Sequence, residues 1–160
     1  MEGEVASELM MFGRAVILGG GSGVMIPRKV FNKVSGFDEA LSTSADWDLY
    51  FRISCDFSVG FIGEPLLKYR LHGSNMHSNV SRMEREMLFA YEKFFSRTSS
   101  EIGRNASKAY GSLYRMLSGS YFRSGKYVSF IRTALLSCFN DPRSIAYFIK
   151  FPVREVRRNL

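Results

Sequence analysis

Hydrophobic residues in the second half of the chain recur at spacings of three and four, which is the period of an amphipathic helix. The segment MEREMLFAYEKFF, residues 83–95, has this pattern throughout. The segment from Asn105 to Pro142 predicts two further helices, joined near Ser124–Gly125 and stopped by Asp141–Pro142. We therefore expect residues 81–160 to form an α-helical tail.

In the first half of the chain the spacing of hydrophobic residues changes from segment to segment, which predicts both helices and strands. Residues 4–12 have the pattern of a short helix, and Pro27 is predicted as the first residue of a second helix that Gly36 closes. A third helix is predicted from the polar run 42–44 to about Asp56. Residues 57–73 alternate and are rich in β-favouring types, which predicts one or two strands with a break at Glu64–Pro65.

Composition indicates one core with an appendage, and the charge divides the chain in two. Of the 160 residues, 46% are hydrophobic, so the chain can bury a core. Residues 1–80 carry seven basic and nine acidic side chains, whereas residues 81–160 carry fifteen and six. The net charges of −2 and +9 predict two parts with different partners. Because no uncharged apolar run approaches the roughly 20 residues of a membrane span, we expect a cytoplasmic protein.

Two carboxylates, Asp46 and Asp48, flank the single tryptophan, Trp47. In the structural interpretation they lie in the first turn of a helix, where the helix dipole favours acidic residues. In the functional interpretation a carboxylate acts as an acid or base on a substrate. Residues two apart on a helix point to nearly opposite sides, so these two cannot form a facing pair. One at most performs chemistry, and the other holds structure.

Two further motifs each allow a structural or a functional interpretation. The run Gly19–Gly23 lacks the Lys-Ser/Thr of a Walker A loop and does not fit GxGxxG, so it either makes a turn or lets backbone amides approach a ligand. His72 follows a predicted strand, where it either hydrogen-bonds locally or projects into a cleft. The net charge of +7 is accompanied by no recognised nucleic-acid motif, and we do not predict nucleic-acid binding.

These pieces follow one another in an order that resembles the C-terminal half of glycosyltransferase family 2, the inverting transferases of the GT-A fold. The order is the glycine-rich loop, SGFDEAL, SADWDLYFRIS and YRLHGSN. The resemblance implies an α/β fold, with residues 1–80 as the acceptor-side half of a nucleotide-diphospho-sugar transferase domain and residues 81–160 as a basic helical tail. It also implies a role in polysaccharide biosynthesis at the cell envelope.

The resemblance implies a role for each matching residue. Asp46 matches the catalytic base, and Asp48 and Arg52 match positions that hold the helix in place. His72 matches a histidine of the metal site, which implies a divalent cation, Mg²⁺ or Mn²⁺. The acceptor side would be lined by a glycine loop and an aromatic wall, formed by Gly19, Gly20, Gly21, Ser22 and Trp47. The chain departs from the family at Ala45, where a glutamate is common.

The largest departure is the absence of a D-x-D motif before the glycine loop, since in the family that motif holds the metal against the donor diphosphate. The resemblance therefore implies a truncated or split glycosyltransferase that is inactive alone. In the complete enzyme, Asp46 would deprotonate an acceptor hydroxyl as it attacks a nucleotide-sugar donor. The implied partners are that donor, a glycan or lipid-linked acceptor, and a separate N-terminal half.

The alternative function is a non-catalytic binding module that attaches to an anionic membrane surface or to a protein partner. Near the C-terminus basic and aromatic residues interleave, namely Tyr147, Phe148, Lys150, Phe151, Arg154, Arg157 and Arg158. This composition suits peripheral attachment at the inner membrane face. An ordinary solvated basic face explains the same residues, and the sequence leaves both interpretations open.

Overall fold

A computed structural model describes residues 5–12, 20–68, 79–96 and 105–158. The chain divides into two compact units, Met1–Arg97 and Thr98–Leu160. The predicted boundary lay at residue 80, but the helix that follows it belongs to the first unit.

The first unit contains four α-helices in the part of it that the structure describes. They are α1 (Ala6–Met11), α2 (Arg28–Lys33), α3 (Ala45–Asp56) and α4 (Val80–Phe95), with a 3-10 turn at Gly20–Gly23. Helix α2 begins at Arg28, one residue after the predicted start, and Pro27 is its N-cap residue in an extended conformation, with a φ of −60° and a ψ of 137°. Gly36 follows it with a φ of 66°, a left-handed conformation that glycine adopts without strain.

The second unit contains the predicted helical hairpin followed by a third helix. Helices α5 (Ala106–Arg123) and α6 (Tyr127–Asn140) are joined at Ser124–Gly125, and α7 spans Ser144–Arg158. Helices α5 and α6 approach closely at Gly111, whose carbonyl oxygen accepts a hydrogen bond of 2.7 Å from Ser137 Oγ. None of the described helices has the length and apolar character needed to cross a membrane.

The predicted α/β fold is wrong for the part of the chain that the structure describes. Seven α-helices account for most of the described residues, which form no strand or sheet, so the part of the chain that the structure describes is all-helical and not an α/β GT-A fold. The strand prediction covered residues 57–73, of which 69–73 lie outside the described residues. Residues 57–68 are non-helical and mostly exposed, with a bridge residue at Val59. The alternating pattern shows that these residues suit a strand, but a strand is stable only when another pairs with its backbone.

The core of the first unit is an aromatic cluster between α1, α3 and α4. The Trp47 ring stacks on Phe51 at 5.3 Å and on Tyr91 at 5.2 Å between ring centroids. The buried Tyr91 hydroxyl donates a hydrogen bond of 2.6 Å to the carbonyl oxygen of Met10, at the end of α1. Tyr91 of α4 thus contacts both α1 and Trp47, and these contacts hold the N-terminal turn of α3 in place.

Candidate functional site

The N-terminal turn of α3 holds Asp46 and Asp48 in different surroundings. Asp48 is buried, whereas Asp46 is half-buried. Asp46 Oδ1 accepts a hydrogen bond of 2.7 Å from the backbone N–H of Trp47, and Asp46 Oδ2 accepts none from any residue that the structure describes. One oxygen of this carboxylate is thus held in place, while the other makes no hydrogen bond to a described residue.

Asp48 forms an ion pair with Arg52, one turn further along α3. Arg52 Nε and Nη2 lie 2.8 and 2.7 Å from Asp48 Oδ2. The guanidinium also donates a hydrogen bond to the backbone carbonyl oxygen of Val34. It donates another, of 2.8 Å, to the backbone carbonyl oxygen of Gly36. These contacts attach α3 to the turn after α2, which is the arrangement expected of residues that hold the helix in place.

Tyr50 is a neighbour of Asp46 that the sequence analysis missed. It lies one helical turn after Asp46, and its side chain is buried. Burial raises the pKa of the Tyr50 phenol, and the negative charge of Asp46 raises that pKa further. The phenol therefore stays protonated beside the carboxylate at neutral pH. The only signal in the sequence was the spacing of four residues, which places both side chains on one helix face.

Trp47 lies mostly within the aromatic cluster. Besides Phe51 and Tyr91, its ring stacks on Phe12 at 5.9 Å. The indole nitrogen Nε1 is buried and has no hydrogen-bond partner among the described residues. The ring's main contacts are therefore structural, and its role as an acceptor wall stays a prediction.

Glu86 of α4 fixes the segment that leads into α3, and it too was missed. Its Oε2 accepts hydrogen bonds from the backbone N–H groups of Ser42 and Ser44 and from Thr43 Oγ1, at 2.9–3.1 Å. We expected residues 42–44 to cap α3 with their own side chains, but Ser44, the N-cap residue, makes no such hydrogen bond. Glu86 lies more than forty residues away in sequence, so no local pattern could have revealed it.

The Glu86 carboxylate predicts a pH dependence of stability. Its burial acts to raise the pKa, but hydrogen bonds from Ser42, Arg82, Thr43 and Ser44 outweigh burial and lower the pKa from 4.5 to about 2. A lowered pKa stabilises the folded state fully above about pH 4.5, and this stabilisation is lost as the pH falls towards 2. Because the side chain is only 11% exposed, we expect a contribution of about 2–3 kcal/mol at neutral pH.

Replacing Glu86 by glutamine should therefore reduce the free energy of unfolding at pH 7 and leave a smaller difference from wild type at pH 3. Trp47 is the chain's single tryptophan, so its fluorescence during urea unfolding reports the first unit. Glu92→Gln is the matched control, because Glu92 lies exposed on the same helix. A difference between wild type and Glu86→Gln that is equally large at both pH values would contradict this assignment.

The remaining predicted site residues lie elsewhere or outside the described residues. Gly20, Gly21 and Ser22 form the 3-10 turn, in which Gly21 and Ser22 are exposed. Among the described residues no hydrogen bond joins this turn to α3. Gly19 and His72 are outside the described residues. The described part of the chain has no group of three His, Cys, Asp or Glu side chains that could hold a metal ion.

Comparisons with known proteins identify the family. A sequence model of "glycosyltransferase like family 2" matches residues 1–128. An uncharacterised glycosyltransferase of Rickettsia typhi is 26% identical over 138 residues, which are 85% of this chain and 42% of the relative. Another, from Rickettsia bellii, is 31% identical over 97 residues, or 61% of this chain and 14% of the relative.

The chain thus spans less than half the length of these curated relatives. No solved structure is significantly similar to it. The match covers both the turn at Gly20–Gly23 and the N-terminal turn of α3 that holds Asp46. On this similarity the chain belongs to the glycosyltransferase-like family 2.

Proposed function

We propose that this chain supplies the catalytic base of an inverting glycosyltransferase, which moves a sugar from a nucleotide-sugar donor to an acceptor hydroxyl. Family membership supports the reaction class. The observation that supports Asp46 as the base is its geometry, with Oδ1 fixed by the Trp47 amide and Oδ2 unbonded among the described residues. Asp48 is unsuited to this role because Arg52 occupies its carboxylate.

The proposed reaction is a single displacement. The acceptor oxygen attacks the anomeric carbon of the donor, the bond from that carbon to the diphosphate breaks, and the nucleoside diphosphate leaves. Asp46 Oδ2 takes the proton from the acceptor hydroxyl as the new bond forms. The hydrogen bond from the Trp47 amide holds the carboxylate in one orientation, which reduces the entropy lost on reaching the transition state.

A divalent cation, Mg²⁺ or Mn²⁺, is part of the proposal for the complete enzyme, with His72 as a candidate ligand. Such an ion would neutralise charge on the leaving diphosphate. The described residues do not form a site for it, since they hold no three-ligand group and Asp48 is paired with Arg52. We therefore propose no reaction step in which the ion contacts the described residues.

We further propose that turnover requires a donor-binding part in addition to this chain. The relative from Rickettsia typhi supports this proposal, because the chain matches only 42% of its length. The isolated chain should release no nucleoside diphosphate from a panel of nucleotide sugars. A chimera in which this chain replaces the aligned segment of that relative should release it when acceptor is present.

The assay needs the intact relative as a positive control and circular dichroism to show that the chimera is folded. Acceptor-dependent release by the isolated chain would show that it needs no further donor-binding part. A folded chimera that is inactive while the intact relative turns over would contradict the proposed function.

A further inference from the structure

Helix α6 exposes a row of apolar side chains. Val128, Ile131, Leu135 and Phe139 follow one another at spacings of three and four along one side of the helix. Val128 is 85% exposed and Phe139 87% exposed. A helix of a globular protein ordinarily buries such a row, and a large exposed apolar patch marks an interaction site.

Helix α7 extends this apolar surface. Ile145 and Ile149 are exposed one turn apart. Between α6 and α7 lies a groove of 420 Å³, with Ile131 and Leu135 on α6 and Phe148 on α7 among its lining residues. We call the surface formed by the groove and the exposed residues the docking face; those residues are Val128, Ile131, Leu135, Phe139, Ile145 and Ile149.

The lining of the groove indicates what kind of ligand it accepts. All the side chains around it are apolar, apart from the thiol of Cys138, and they include Phe122 and Phe130 on its inner side. Sites for polar small molecules carry a few polar groups that orient the ligand. This groove has none of that kind, so it suits hydrocarbon.

The segment that carries the docking face is strongly basic. Residues 105–158 contain ten lysines and arginines and only two acidic residues. Lys126, Arg132, Arg143 and Lys150 are exposed on α6, α7 and the adjoining turns. Arg132 lies on α6 within the apolar row, one turn after Val128. Apolar side chains next to basic ones are typical of helices that lie in the interface of a membrane containing anionic lipids.

We propose that the docking face binds the surface of an anionic lipid bilayer. Val128 and Phe139 enter the boundary between headgroups and acyl chains, and Arg132 and Lys150 meet lipid phosphates. An anionic bilayer supplies both hydrocarbon for the apolar side chains of this face and negative charge for its basic side chains. The inference goes beyond the proposed sugar transfer and is independent of it.

The docking face differs from the contact that the sequence suggested. Tyr147, Phe148 and Phe151 were the aromatic residues expected at the membrane. Phe151 is buried, with its ring 5.1 Å from Phe122 and 5.4 Å from Phe130, and Phe148 lines the groove. Phe148 and Phe151 of α7 therefore line the groove, and the most exposed apolar side chains of the docking face come from α6.

Sedimentation of the full chain with vesicles tests this proposal. The chain should bind phosphatidylcholine vesicles that contain one third phosphatidylglycerol and should not bind pure phosphatidylcholine.

The double variant V128S/F139S should bind at least tenfold more weakly, because it removes the two most exposed apolar contacts of α6. R132Q/K150Q should bind more weakly and with a smaller dependence on salt. The matched control M25S/L66S changes exposed apolar residues of the first unit and should bind like wild type.

A second measurement locates the contact. With Trp47 replaced by phenylalanine, a tryptophan introduced by F139W should shift its emission to the blue on anionic vesicles and be quenched by brominated lipid. Equal binding to both vesicle types, or none to the anionic ones, would overturn the proposal. The proposal would also be overturned if V128S/F139S bound anionic vesicles like wild type. A further contrary result would be a wild-type chain that binds no vesicle but self-associates, with the self-association abolished in V128S/F139S. The last result would identify the face as an interface between copies.

Discussion

Replacing Asp46 by asparagine should lower the turnover of the complete transferase by about 10²–10⁴-fold, the usual contribution of a general base. The amide keeps the size of the side chain and an oxygen that can accept the Trp47 hydrogen bond. It cannot take the acceptor proton at neutral pH. We therefore expect kcat to fall while donor affinity and unfolding free energy stay close to wild type. Steady-state kinetics of the chimera, donor titration and urea unfolding measure the three quantities.

Asp56→Asn is the matched control for this variant. Asp56 is the last residue of the same helix, its side chain is 51% exposed, and its only ion pair in the described residues is a 3.6 Å contact with Lys33. The same chemical change there should leave turnover unaltered. If Asp46→Asn retained turnover close to wild type, Asp46 would not be the base.

Replacing Asp48 by asparagine should instead destabilise the first unit by about 2–3 kcal/mol. The change leaves the Arg52 guanidinium, only 24% exposed, without its carboxylate partner while its contacts to Val34 and Gly36 hold it in place. Activity should fall only in proportion to the folded fraction. Urea unfolding followed by Trp47 fluorescence measures the change in stability.

The ion pair of Lys33 with Asp56 provides the comparison for Asp48. Both of its side chains are more than half exposed, so Asp56→Asn should cost no more than about 0.5 kcal/mol. Arg52→Lys should reproduce part of the Asp48→Asn loss, because an ammonium cannot reach Asp48 and both carbonyl oxygens together. An Asp48→Asn protein as stable as wild type would show that the ion pair does not brace α3.

Features with local causes were predicted correctly from the sequence. Helix α2 begins within one residue of the predicted Pro27, and Ser124–Gly125 joins α5 and α6, where Gly125 has a φ of 69°. Asp46 and Asp48 have the different surroundings that helical geometry demands. Each of these features follows from residues within a few positions of one another.

Features that depend on distant residues could not be predicted. The alternating pattern of residues 57–68 suits a strand, but pairing depends on a second strand, and none lies among the described residues. Glu86 meets residues 42–44 only through the packing of α4 on α3. The amphipathic pattern of α7 did not reveal that its aromatic residues pack against α5 and α6.

The anomeric configuration of the product tests whether Asp46 takes the acceptor proton in a single displacement. Proton NMR of the glycoside that the chimera forms gives this configuration. We expect a product inverted relative to the donor, and almost no product when Asp46 is asparagine. A product with retained configuration, or an inverted product formed at the wild-type rate by the Asp46→Asn protein, would contradict it.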